Sequence, residues 1–329
     1  MAARGTWVVR LGGSRGAGLL AVLVLGGTAL SLASPAFLEV RNLTDILLNI
    51  SVLAIVAIGM TLVILTGGID ISAGSILALA AMAAGYVAQK GLGWPAATVA
   101  AALTGGAAGL LNGLLVARAG LPPIIVTLGT MSVYRGLVMG ITGGKWIYNL
   151  PRNFTVLGQG RVLGLPIPIW ILLAVAVLVG LFLNRTAFGR GIYAAGSNPQ
   201  AARLSGVPVR LTLGFVYTAS GLLTGLAAAL FAARFGVVQT TAGLGLELNA
   251  IAAAVIGGTN IAGGSGTVAG TVLGAVLMGV IANAMVLLRI SAFWERVVVA
   301  ALILVAVVVD HLARVRSLRL QAGQRRAAV

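Results

Sequence analysis

A chain of 329 residues that is 59% hydrophobic and only 9% charged, with a mean hydropathy of +1.08, has too few charges to clothe a soluble domain of its size, where about 25% is usual. Cysteine is absent, and one histidine, His311, and six acidic residues stand against 22 Lys and Arg, which excludes disulfide staples, thiolate chemistry and a His- or carboxylate-rich metal centre. The net charge of +16 does not describe a nucleic-acid surface either, because the basic residues gather at the termini and in one central segment without interleaved aromatics.

A membrane span needs roughly 20 mainly apolar residues. Segments of that kind run over 17–38, 46–65, 71–89, 94–117, 122–142, 166–184, 211–233, 246–262, 266–288 and 294–312. The sequence therefore predicts an all-α, polytopic transmembrane helical bundle of about ten spans, forming a single domain over 1–329. Arg4, Arg10 and Arg15 before the first run resemble a signal peptide, but nothing soluble follows, so the run reads as a retained span. The 47 glycines sit inside apolar runs, the pattern of helices that approach closely in lipid.

Orientation follows from the Lys/Arg asymmetry of the connections. With ten spans both termini share a side. Placing them in the cytoplasm collects the 1–16 segment, Arg118, the 185–210 loop and the basic tail 313–329 there, leaving Arg41, Lys90, Lys145, Arg152, Arg161, Arg234, Arg289 and Arg296 on the opposite face. The expected location is a bacterial inner membrane, with basic segments near anionic lipid.

Two connections are too long for simple turns. The outer one, 143–165, holds Lys145, Trp146, Tyr148, Pro151 and Phe154; it reads either as an interfacial aromatic anchor or as a docking surface. The inner one contains Asn198-Pro199-Gln200-Ala201-Ala202-Arg203-Leu204-Ser205-Gly206. Asn198 is a good N-cap and Pro199 suits the first helical position, while Gly206 can take the left-handed C′ conformation and Pro208 cannot continue a helix. The spacing predicts a helix of about two turns, too short to persist alone in water. It rests on the membrane surface, or it inserts Ala201, Ala202 and Leu204 into a groove on a soluble partner, with Arg190 and Arg203 adding charge complementarity.

Residues 67–75, Gly-Gly-Ile-Asp-Ile-Ser-Ala-Gly-Ser, recur at 257–265 as Gly-Gly-Thr-Asn-Ile-Ala-Gly-Gly-Ser. The offset is 190, and Asp70 stands opposite Asn260. Paired glycine-rich breaks in corresponding halves point to a translocation path, although cytoplasmic helix-to-helix turns would give the same pattern. Asp70 is one of few acids near membrane depth, where such a group pairs or faces water. Candidate pathway residues are Asp70, Ser72, Ser75, Asn112, Thr127, Arg135, Asn249 and Asn260; polar residues in spans also serve as hydrogen-bonding glue between helices. Arg135, several residues inside its span, snorkels outward, pairs with an acid or faces the path.

At these residues the chain resembles the permease family of ribose-type ABC importers. The likeness lies in 59–75 (Gly-Met-Thr-Leu-Val-Ile-Leu-Thr-Gly-Gly-Ile-Asp-Ile-Ser-Ala-Gly-Ser), 123–130 (Pro-Ile-Ile-Val-Thr-Leu-Gly-Thr), Gly189 through Gly206 and Asn249 through Gly270, in the family's order. The resemblance implies two permease subunits, identical or paralogous, around a central path. It also implies cytoplasmic ATPase subunits touching 189–206, and an external protein delivering a monosaccharide or related furanose. It implies no cofactor on this chain, ATP being bound by the partner. No G-x-x-x-x-G-K-[ST] loop exists here, so a nucleotide cradle must come from elsewhere. The competing readings are an ion-coupled carrier, for which Asp70 and Arg135 are meagre titratable equipment, an intramembrane enzyme, for which no catalytic constellation is visible, and an importer of branched-chain amino acids.

Overall fold

The computed structural model describes residues 14–291 and isolated positions between 294 and 304. The last expected span, 294–312, lies largely outside the described residues, as do most of the 1–16 segment and the tail 313–329.

Twelve α-helices are present among the described residues: α1 Ser14–Ala33, α2 Val40–Leu65, α3 Ala73–Gln89, α4 Gly93–Ala117, α5 Pro123–Thr142, α6 Arg152–Gln159, α7 Ile167–Arg185, α8 Ala187–Ser197, α9 Pro199–Leu204, α10 Val209–Phe235, α11 Leu246–Ile256 and α12 Val268–Leu287. Six of them, α2, α4, α5, α7, α10 and α12, are long and apolar enough to cross a membrane. A two-stranded hairpin, β1 Arg161–Val162 with β2 Leu165–Pro166, is the only sheet among these residues.

The helix α2 is the axis of the bundle. From Ala54 to Leu65 every residue is buried, so its apolar character runs all round rather than along one stripe, as a helix enclosed by others requires. α7, α10, α11 and α12 pack around it. α4 and α10 cross backbone to backbone. Gly105 and Gly109 press on Gly221 and on the carbonyl of Tyr217, Gly225 presses on Ala101, and Gly113 on Gly214, so a Cβ at Gly105, Gly109, Gly221 or Gly225 would overlap the facing main chain. Glycines four apart on both helices make a flat seam that admits this approach. α5 and α7 turn large apolar residues outward, among them Ile125, Val133, Ile141, Val177 and Leu178, the expected condition of faces solvated by lipid.

The connections sort to two ends. One end gathers 66–72, 118–122, 186–208 and 257–267; the other gathers 90–92, 143–166 and 236–245. At the second end Ile147 and Val238 pair as an antiparallel bridge, Gln89 donates to the Tyr148 carbonyl at 3.0 Å and Asn153 to that of Gly91 at 3.2 Å.

Two expectations need correction, and one connection gains detail. The first run does not continue to residue 38: α1 stops at Ala33, and a 3-10 turn, Pro35–Leu38, follows, because Pro35 has no N–H to continue the ladder. The 143–165 connection, too long for a simple turn, contains α6, whose Phe154 and Leu157 are buried while Trp146 and Tyr148 stay exposed as a tilted pair with centroids 5.8 Å apart. The expected span 246–262 is helical only over the eleven residues Leu246–Ile256. Eleven residues rise about 16 Å, roughly half of a ~30 Å hydrocarbon core. The stretch before it, 236–245, leaves the Val238 bridge and reaches inward until Gly243 packs on Gly74 near the start of α3, with positive φ at Gly236, Gly243 and Gly245. Together they form one re-entrant crossing, half irregular chain and half helix.

Candidate coupling face and polar core

The short helix in the inner connection is built as its residues dictate. The Asn198 side-chain oxygen accepts from the N–H groups of Gln200 and Ala201, both at 3.0 Å, and Pro199 occupies the first position. At the other end Gly206 has φ +82°, and Val207 N–H donates to the Ala202 carbonyl at 2.9 Å. Six residues are helical, a little less than two turns.

Its faces are unequal. Leu204 is 92% exposed, and Ala201 and Arg203 are exposed beside it. Arg190, on α8, is exposed too. Ala202 points the other way, buried against Ala195 of α8 and Val209 of α10. Its methyl group fastens the helix to the body and is not available to an outside groove, unlike Ala201 and Leu204.

The sequence reading missed α8. Thr186 caps it, its hydroxyl accepting from Gly189 N–H at 2.9 Å. That cap, followed by an amphipathic run with Ile192 and Ala195 buried, was the available signal. α8 rests directly on both glycine-rich breaks. Gly196 sits on the Leu65 carbonyl with no room for a Cβ, and the Tyr193 hydroxyl donates to the Gly266 carbonyl at 3.0 Å. Burial raises the Tyr193 phenol above its ordinary value, so it remains a neutral donor.

The two breaks also touch each other. Gly264 N–H donates to the Leu65 carbonyl at 2.9 Å, closing the end of α2 with a residue of the second repeat. Each break contains the same turn. The Asp70 Oδ1 accepts from Ser72 N–H at 3.0 Å, and the Asn260 Oδ1 accepts from Ala262 N–H at 3.0 Å, the Asx geometry that Asp and Asn share. The breaks are thus helix-to-helix turns at one end of the bundle, joining α2 to α3 and α11 to α12.

Around the first break lies a chain of polar side chains. The Ser72 hydroxyl donates to Asp70 Oδ1 at 2.6 Å and receives a hydrogen bond from Asn112 of α4 at 2.8 Å. The Tyr134 hydroxyl of α5 lies 2.8 Å from the Ala108 carbonyl and 3.2 Å from Asn112 Oδ1. Thr127 donates to the Ile69 carbonyl at 3.1 Å. Asp70, Ser72, Asn112 and Thr127 have no exposed surface and Ser75 is buried beside them. The second Asp70 oxygen and the Tyr217 hydroxyl are buried with no hydrogen-bond partner, an arrangement that costs on the order of 1–3 kcal/mol per group.

The remaining candidates lie elsewhere. Arg135 neither snorkels nor lines an open path: its guanidinium donates to the carbonyls of Thr240 and Ala242, both at 2.9 Å, and pins the re-entrant stretch to α5. Asn249 lies on α11 and lines a cavity of about 500 Å3 between α2, α10, α11 and α12. Tyr134 and Tyr193 were not among the candidates; an isolated tyrosine in an apolar run gives no sign of which carbonyl it meets. No group of three or more His, Cys, Asp or Glu that would hold a metal occurs among the described residues.

Residues 42–307 match the family described as branched-chain amino acid transport system / permease component. Among curated relatives, the ribose import permease protein RbsC of Escherichia coli K12 is 42% identical over 297 residues, covering 89% of this chain and 92% of that one. The RbsC protein of Bacillus subtilis 168 is 39% identical over 85% of this chain and 88% of its own. The autoinducer 2 import system permease protein LsrC of Salmonella typhimurium LT2 is 40% identical over 83% of this chain and 78% of its own. No solved structure matches the chain.

Proposed function

Since the chain belongs to the transport-system permease family matched over 42–307, and is a multi-pass membrane permease of the ABC-importer kind, we propose that it carries a monosaccharide or related furanose inward, driven by separate ATPase subunits. The cargo is inferred from relatives at 39–42% identity, which are named for ribose and autoinducer 2 import. The partners are two cytoplasmic ATPase subunits, an external substrate-binding protein and a second permease, identical or paralogous.

The observation that carries the mechanism is the convergence of both breaks beneath α8 and α9. A force on the exposed Ala201–Leu204 face reaches the Leu65 carbonyl through Gly196 and the 257–267 segment through Tyr193. One small surface therefore acts on the end of α2 and on the turn that joins α11 to α12. ATP-driven closure of the ATPase pair supplies the force, and alternating access follows from the displacement of those helix ends.

The end that carries α8 and α9 faces the cytoplasm of a bacterial inner membrane, with both termini on that side. Its connections and the helix ends beside them hold Arg118, Arg185, Arg190, Arg203 and Arg210, as the positive-inside rule favours. The Asp70–Ser72–Asn112–Tyr134 network, with Ser75 and Thr127, is the shut inner end of the path in this conformation, and Asn260 holds the corresponding turn of the other repeat.

Leu204→Asp tests the coupling. It places a charge on a surface that a partner must desolvate, yet leaves the fold alone because the residue is 92% exposed. The thermal midpoint should stay at the wild-type value while copurification of the ATPase falls at least tenfold. Wild-type recovery of the ATPase would remove this face from the interface.

A further inference from the structure

The cavity beside α11 has a lining that distinguishes among cargoes. Its polar wall includes Asn49, Arg234, Gln239, Thr241 and Asn249, and its apolar wall includes Phe231 and Phe235, whose rings are tilted by 54° with centroids 4.8 Å apart. A volume of about 500 Å3 falls within the ~300–1,000 Å3 typical of small-molecule sites. The cavity reaches from Arg234, near the outer end of α10, to Asn249, one turn into the half-helix, so it occupies the outer half of the crossing.

The charge on that wall is already engaged. Arg234 donates to the Leu48 carbonyl at 3.2 Å and to the Asn49 Oδ1 at 2.6 Å, and its guanidinium carbon lies 5.4 Å from the Phe235 centroid. By contrast, neither the Gln239 nor the Asn249 side-chain amide makes a hydrogen bond among the described residues, although both face the cavity. Each amide offers donors and an acceptor together, which suits a hydroxyl that also does both. Among the described residues no carboxylate lines the space. Glu247, the acid nearest in sequence, packs instead against Gly74 of α3.

We propose that this cavity is a transit site for an uncharged polyhydroxylated ring, with Gln239 and Asn249 reading its hydroxyls and the Phe231–Phe235 pair covering its C–H face. The proposal rests on the importer reading above and sharpens it. A free amino acid would set its ammonium group in a cavity that has no anionic partner among the described residues, which is costly. The re-entrant stretch supplies Gln239 and the half-helix supplies Asn249, so Arg135, which fixes that stretch, is a positioning residue for the site.

The test uses the permease reconstituted in proteoliposomes with its own ATPase and binding protein, and radiolabelled D-ribose, D-xylose, L-rhamnose and L-leucine as probes. Gln239→Leu and Asn249→Leu should each lower uptake of the sugar carried by the wild type at least tenfold, with wild-type copurification of the ATPase. Asn249→Gln, which keeps an amide, should recover part of the rate. Because the chain has no cysteine, Asn249→Cys introduces its sole thiol, and that sugar should slow its alkylation by N-ethylmaleimide at least threefold. Wild-type uptake in both leucine variants, or alkylation that the carried sugar leaves unchanged, overturns the site while leaving the importer reading intact. A wild type that accumulates L-leucine, or none of the sugars, overturns the importer reading and the site with it.

Discussion

The α4–α10 crossing and the 236–256 re-entrant crossing are both rich in small residues, yet one is the most extensive helix contact among the described residues and the other borders an open cavity. In the first, glycines recur every four residues on two regular helices, so their bare faces coincide and the main chains meet. In the second, Gly236, Gly243 and Gly245 take positive φ, the helix begins late, and side chains must fill the space that main chain does not. Glycine closes a bundle where its period matches the helix, and opens it where its freedom of φ is used instead.

The largest expected effect strikes the closed region. Gly221→Leu drives a side chain into the Gly105 and Gly109 main chain, which cannot yield as a flexible side chain would. It should cost more than about 3 kcal/mol, at or beyond the usual range for overpacking, and appear as loss of a monodisperse peak in detergent. Gly129→Leu on α5, where nothing lies within 4 Å, serves as its control and should shift stability by under about 0.5 kcal/mol. Equal losses in the two variants would dissolve the contrast.

In the open region Arg135→Met removes two charged hydrogen bonds to the Thr240 and Ala242 carbonyls. The expected loss is about 1.5–3 kcal/mol, concentrated as faster amide hydrogen exchange across 238–245. Uniform exchange throughout the chain would show instead that Arg135 supports the bundle as a whole. The smallest effect belongs to the turn that joins α11 to α12. Asn260→Ala deletes one side-chain acceptor of an Asx turn and should lower thermal stability by about 0.5–1.5 kcal/mol, leaving exchange at 238–245 unchanged.

What was legible in the sequence was what neighbours along the chain decide. Long apolar runs marked α4, α5, α7, α10 and α12 to within about two residues at each end and placed the end of α2 but not its start, six residues earlier than expected, and the caps of α9 were written in Asn198, Pro199 and Gly206. The repeat announced two matching turns, which Asp70 and Asn260 indeed form alike. Hydropathy did not separate a full span from a half-helix at 246–262, because the turn after Ile256, Gly-Gly-Thr-Asn-Ile-Ala, carries no charge to mark the end of the apolar run. Nor could it tell where Arg135, Tyr134 or Tyr193 end up, since their partners lie 105, 26 and 73 residues away in the chain. Asp70, Ser72, Asn112 and Thr127 stood out as polar groups in apolar runs; that they form one enclosed network is a product of packing.

The hydrogen bond from Gly264 to the Leu65 carbonyl carries a consequence for biosynthesis. The last turn of α2 is completed by a residue made roughly 200 positions later, and at a synthesis rate of about 5–20 residues per second that partner is on the order of 10–40 s away. Until then the nascent α2–α3 hairpin holds an unfinished carbonyl at its tip, with the bed for Gly196 only half laid. The inner end of the first repeat is therefore among the last parts of the molecule to mature, and ribosomal pausing between the two repeats would prolong that incomplete state.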